Sequence, residues 1–156
     1  MKSKFKAMVL SCMDPRFQNL VQNHLKKKKL IGKYSAFTIA GAAVGVTHKK
    51  FKQWHKTFYD NLAISIQLHK IEKLIVINHK DCGVAKIVNG KKKFNPANEK
   101  KAHKDSFSII KKQIKKRFPK LKVELNLISL DSKIFDRIKG IGEFTKDLSR
   151  EANSSL

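Results

Sequence analysis

Lys73-Leu74-Ile75-Val76-Ile77-Asn78-His79-Lys80-Asp81-Cys82-Gly83 is the stretch whose reading decides the fold. Its first six residues make a short apolar run rich in β-branched side chains, the strongest strand signal in the chain. The run stops at a histidine, with a cysteine three positions further on. A second stretch repeats the plan: Phe5-Lys6-Ala7-Met8-Val9-Leu10 is an apolar run that stops at Ser11-Cys12, and Pro15 then forbids its simple continuation. Both read as buried strands that end in polar loops.

Between and beyond these strands the pattern alternates. Residues 34–40 form another strand candidate, closed by Gly41. Phe51, Trp54, Phe58, Leu62 and Ile66 recur at three- and four-residue spacing, which predicts an amphipathic helix over residues 50–69. Phe107, Ile110, Ile114 and Phe118 define the buried face of a second helix over about 98–117, which Pro119 ends. Residues 123–130 read as a further strand, 134–138 as one more, and the end from about 145 as a helix or tail. Strands alternating with helices of more than ten residues imply βαβ units, so the class is α/β with a mostly parallel sheet flanked by helices. There is no internal repeat and no linker, and residues 1–156 are expected to form a single domain.

Composition narrows the function. A chain of 156 residues buries roughly 70% of its unfolded surface, enough for a core without staples. Two cysteines cannot build a disulfide framework; in a reducing compartment such a pair more often binds metal or does chemistry. No apolar run approaches the ~20 residues that span a bilayer, so a soluble cytoplasmic protein without membrane partners is expected. The net charge of +23 invites a search for nucleic acid, but 31 of the 35 basic residues are lysine. Geometric recognition of phosphates leans on arginine, so lysine at this excess argues against a specific nucleic-acid partner. The lysine runs at 26–29 and 91–93, with Lys100, Lys101, Lys111, Lys112, Lys115 and Lys116, are expected in loops or on an outer helix face. The aromatic residues sit at core spacing and not among the lysines, so no stacking platform is indicated.

Parallel sheets place their sites at the carboxyl ends of strands. Two polar clusters fall there: Cys12-Met13-Asp14-Pro15-Arg16 and His79-Lys80-Asp81-Cys82-Gly83. Thiolates and imidazole are good zinc ligands, and three protein ligands leave the fourth tetrahedral position open for water, the mark of a catalytic site. Zinc lowers the pKa of bound water towards neutrality. Asp14, held ionised by Arg16, can accept a hydrogen bond from that water and orient it. The plainer alternatives are an ion pair that fixes the turn around Pro15 and two cysteines that merely fill the core. Gly41 and Gly83 either let backbone approach the site closely or only serve their turns. Lys80 and Asp81 flank the ligands and read as an exposed loop pair, the alternative being that they support the ligands from behind. His24, His48, His55, His69 and His103 read as surface or helix-face residues, the alternative being that one of them borders the cavity and shuttles protons. Phe17, Phe37 and Val44 either line a substrate channel or fill the core.

Cys-x-Asp-x-Arg after the first strand, followed by His-x-x-Cys-Gly after another, resembles the β-class carbonic anhydrases over roughly residues 5–85. The resemblance implies that Cys12, His79 and Cys82 bind one zinc ion per chain and that Asp14 and Arg16 form the catalytic dyad beside it. It implies reversible hydration of CO2 to bicarbonate by a zinc-bound hydroxide, a four- or five-stranded mostly parallel sheet, and a homodimer or higher homo-oligomer. Departures from the family pattern surround the site. Thr38-Ile39-Ala40-Gly41-Ala42 stands where an Arg-Asn-Ala-Gly-like segment is usual, Asn78 where a glycine is common, and Lys80 where Ser or Thr is common. Other readings are a zinc hydrolase of carbon disulfide or carbonyl sulfide, a non-catalytic zinc-stabilised domain with Asp14 as fourth ligand, and, least favoured, a basic nucleic-acid-binding protein.

Overall fold

The computed structural model describes residues 4–130 and the backbone of a two-residue strand, Ile134–Phe135. The elements run β1 (Ala7–Cys12), α1 (Gln18–Lys27), β2 (Tyr34–Ile39), α2 (Ala43–Thr47), α3 (Lys52–His69), β3 (Lys73–His79), α4 (Gly83–Asn89), α5 (Pro96–Arg117), β4 (Lys122–Ile128) and β5 (Ile134–Phe135). The sheet order is β2-β1-β3-β4-β5. The first four strands are mutually parallel, and β5 runs antiparallel to β4. This is the α/β architecture expected from the alternating pattern. The remainder of the strand expected to reach 138, and the tail from 145, lie outside the described residues.

The apolar runs at residues 5–10 and 73–78 form β1 and β3, adjacent interior strands of the sheet. Side chains alternate between the faces of a sheet. Ala7, Val9, Ile75 and Ile77 therefore meet Phe17, Val21 and Leu25 on the α1 side. Met8, Leu10, Cys12, Leu74 and Val76 meet Phe58, Leu62, Phe107, Ile110 and Ile114 on the side of α3 and α5. A strand covered on both faces has no position to spare for solvent, so its sequence is apolar throughout. The register Leu10↔Val76 and Ser11↔Ile77 keeps β1 and β3 level. Their carboxyl ends, with Cys12 and His79, consequently emerge at one edge of the sheet.

Helix α5 has the best local signals. Asn95 caps it by accepting from the Asn98 amide at 2.9 Å, Pro96 occupies the first turn, and Lys115, Lys116 and Arg117 lie in the last. Three shorter helices were not read from the sequence. Helix α1 buries only Val21 and Leu25, while α2 and α4 have five and seven residues, too few to show a period. Lys26 and Lys27 accordingly lie exposed in the last turn of α1 and not in a loop. Among the described residues, no helix is long and apolar enough to cross a membrane.

Candidate metal centre

Cys12 ends β1, His79 ends β3, and Cys82 follows in the turn that leads into α4. All three are buried, and their two sulfurs and a ring nitrogen of His79 lie within 4.8 Å of one another. The histidine is fixed from behind. Its Nδ1 lies 2.8 Å from the Lys80 carbonyl, which can only accept, so the proton sits on Nδ1 and the lone pair on Nε2. Phe17 stacks on the ring at 4.1 Å. Nε2 is buried with no hydrogen-bond partner among the described residues, an expensive arrangement for a polar atom unless something else uses its lone pair. A cation seated among two sulfurs and this nitrogen would do so, and the donor set is one that suits zinc.

The sulfurs are arranged for anionic character. Cys12 Sγ accepts the Gly41 amide at 3.3 Å. The Cys82 S–H beside it leads the interactions that draw the Cys12 thiol down to about 4, against the opposing effect of burial. Cys82 is pushed upward by Cys12 and by burial. Gly41 makes its approach at φ +80°, where a Cβ would lie 2.5 Å from a methyl of Val84. Gly83 has neither a positive φ nor a close neighbour, so of the two glycines singled out in the sequence only Gly41 is demanded by the site.

Asp14 and Arg16 lie beside the cluster. The Asp14 carboxylate accepts the Arg16 amide at 3.0 Å, which caps the turn after Pro15. It also accepts Arg16 Nε at 3.2 Å on Oδ1 and Nη2 at 2.8 Å on Oδ2. This fork holds Asp14 down at about 2. Arg16 is anchored from the other loop: Nη1 donates to Asp81 Oδ2 at 2.9 Å and Nη2 to the Asp81 carbonyl at 3.0 Å. Asp81 is thus exposed, as read, but ties the two ligand loops together. Gln18 supplies a further clamp, its amide donating to the carbonyls of Cys12 at 2.9 Å and Asp14 at 2.8 Å.

Four residues around the site have roles that the sequence does not show. His103 is not on the surface; it is fully buried in α5, and burial holds it down at about 3, so it stays neutral. Asn78 lies between His103 and Ser106, its amide nitrogen 3.0 Å from His103 Nδ1 and 3.3 Å from Ser106 Oγ, while its oxygen accepts the Ala43 amide at 3.0 Å. Glu99 accepts the amides of Asp81 at 3.0 Å and Cys82 at 3.3 Å. Gln18 and Glu99 gave no signal beyond being polar residues in polar runs. Of the three residues left open, Phe17 and Val44 are buried and Phe37 packs against the core.

Residues 1–131 match the model of a family described as putative carbonic anhydrase. An uncharacterized protein of Rickettsia conorii is 30% identical over 125 residues, covering 80% of this chain and 67% of the relative. Among solved structures, one from a study of two tetrameric beta-carbonic anhydrases of Sordaria macrospora superposes with a TM-score of 0.60 at 8% identity. That match covers 89% of this chain and 83% of the other. The apo form of a carbon disulfide hydrolase superposes with a TM-score of 0.50 at 13% identity, covering 90% and 82%. At these identities the structural matches speak to the fold.

Proposed function

The chain belongs to the putative carbonic anhydrase family, and from that membership we propose that it is a zinc enzyme that hydrates CO2 reversibly to bicarbonate. Cys12, His79 and Cys82 are the ligands in this reading. The observation that carries it is the His79 imidazole, whose buried Nε2 has no hydrogen-bond partner among the described residues and lies beside two cysteine sulfurs. Zinc held there supplies acidity, lowering the pKa of a water molecule so that its oxygen becomes nucleophilic near neutral pH.

The remaining work falls to the chain's own side chains. Asp14, ionised because Arg16 grips both its oxygens, can only accept. It takes the O–H of the attacking water and so fixes which lone pair faces the carbon of CO2. Arg16, itself tethered to Asp81, grips that carboxylate and would keep it from serving as a ligand, so that water could reach the metal. The balanced reaction is CO2 + H2O ⇌ HCO3− + H+, with the proton passing to buffer. A homo-oligomer in the cytoplasm is part of the same proposal; likeness in fold to a tetrameric beta-carbonic anhydrase supports the assembly.

Carbon disulfide is the second substrate to test, supported by the likeness in fold to a carbon disulfide hydrolase. It is another linear electrophile that the same nucleophile can attack. Stopped-flow CO2 hydration on zinc-loaded protein of known metal content, from about pH 7 to 9, is the direct test, with release of hydrogen sulfide from carbon disulfide followed in parallel. Turnover with CO2 that rises with pH supports the main reading; sulfide release without CO2 turnover transfers the proposal to the second substrate. Stoichiometric zinc with neither activity points to a metal that stabilises the domain.

A further inference from the structure

Helix α5 carries an unusual stripe. Glu99, His103 and Ser106 fall on one face at helical spacing, and all three are buried. Further along, the same helix buries Phe107, Ile110 and Ile114, as an amphipathic helix should. Its polar end faces the elements that carry the candidate metal ligands. His103 and Ser106 hold Asn78, the residue before His79. Glu99 reaches the turn that holds Cys82.

Burying a carboxylate is costly unless its oxygens are answered by donors. Glu99 is answered by two successive backbone amides, one on each oxygen: Asp81 N–H on Oε1 and Cys82 N–H on Oε2. The turn it grips is strained, with Asp81 at φ +58°, a conformation that a side chain other than glycine enters at a cost. The same turn aims the Cys82 thiol and offers both Asp81 contacts to Arg16.

We propose that Glu99 is a positioning residue for the metal centre: by accepting both amides of the Asp81-Cys82 turn it sets the direction of the Cys82 sulfur and holds Asp81 in place for Arg16. The inference rests on Cys12, His79 and Cys82 being metal ligands. Glu99 is not a ligand in it and acts only through the turn. The role needs two acceptor oxygens. A glutamine of the same size would turn its NH2 group towards one of the two amides, setting donor against donor, so Glu99→Gln separates this role from space filling.

The test is a competition titration of the metal-free full-length chain with zinc and with cobalt(II), whose thiolate charge-transfer absorption reports the Cys–metal geometry. Glu99→Gln is expected to raise the zinc dissociation constant about 10- to 100-fold and to change the cobalt absorption. Ile110→Val, on the same helix and remote from the turn, is expected to lower the melting temperature with affinity and spectrum unchanged. A Glu99→Gln chain that melts lower but binds zinc and cobalt as the parent does overturns the inference alone. A parent chain that takes up neither metal overturns the metal-centre reading and this inference with it. Hydrogen exchange in the parent chain gives a check that does not depend on the variant folding. The Asp81 and Cys82 amides are expected to be protected, and rapid exchange at both overturns the proposal.

Discussion

The carboxylate of Asp14 stops 3.8 Å from Nε2 of His79, turned towards Arg16. A charge so placed is near enough to act on a molecule bound at the triangle and is committed to a different partner. Asp14→Ala is therefore expected to retain one zinc per chain while losing at least about 100-fold in CO2 hydration, the scale of a positioned proton acceptor. Metal analysis beside stopped-flow kinetics checks this; a variant that keeps its turnover removes Asp14 from the mechanism.

The sulfur ligands give a simpler expectation. Cys12→Ser and Cys82→Ser each replace a thiolate with a hydroxyl that stays neutral near pH 7, so each is expected to lose stoichiometric zinc. Elemental analysis after dialysis measures it. Full metal content in both variants would contradict the ligand assignment.

Gly45 in α2 tests the local packing independently of any chemistry. A Cβ there would lie 2.1 Å from the Ala40 carbonyl oxygen, a backbone atom that cannot swing away. Gly45→Ala is expected to destabilise the chain by at least about 2 kcal/mol. Urea unfolding reads the change, and an unchanged midpoint would mean that the turn after β2 is looser than described.

Glu124 on β4 supplies a pH dependence. Burial pushes its pKa up, but hydrogen bonds from Lys28 and Lys73 outweigh burial and leave the carboxyl below its usual 4.5. A depressed folded pKa gives stability that is fully present above the unfolded value and is lost as pH falls through the folded one. Glu124→Gln is thus expected to cost about 1–3 kcal/mol at pH 7. The gap from the parent should narrow as pH drops below 4.5. Paired urea titrations at pH 7 and in the acid range measure this, and a gap of constant size would remove Glu124 as the source.

The strands and the three candidate ligands were legible because their signals are local. An unbroken apolar run marks a strand covered on both faces, and a cysteine or histidine at its end stands out against that background. The supports for the site were illegible for the opposite reason. Glu99 sits in the run Asn98-Glu99-Lys100-Lys101, which reads as a solvated helix start, and only the crossing of α5 over the Cys82 turn gives its carboxylate two amides to hold. His103 reads as a surface histidine because its neighbours Lys101 and Lys104 are exposed. Asn78 departs from the family pattern, yet its three contacts come from α2 and α5, elements distant in the chain.

Cys12 and His79 become neighbours only because β1 and β3 pair in parallel, with α1, β2, α2 and α3 lying between them in the chain. A nascent chain that has made β1 alone, or β1 with β2, owns a single thiol and no site. Chelation is thus closed to early intermediates and awaits the slow, long-range step of bringing two non-consecutive strands together. Because only the folded chain presents the three side chains together, a bound ion would favour that state alone, so uptake of the ion would register that the topology is complete and then act as its latch.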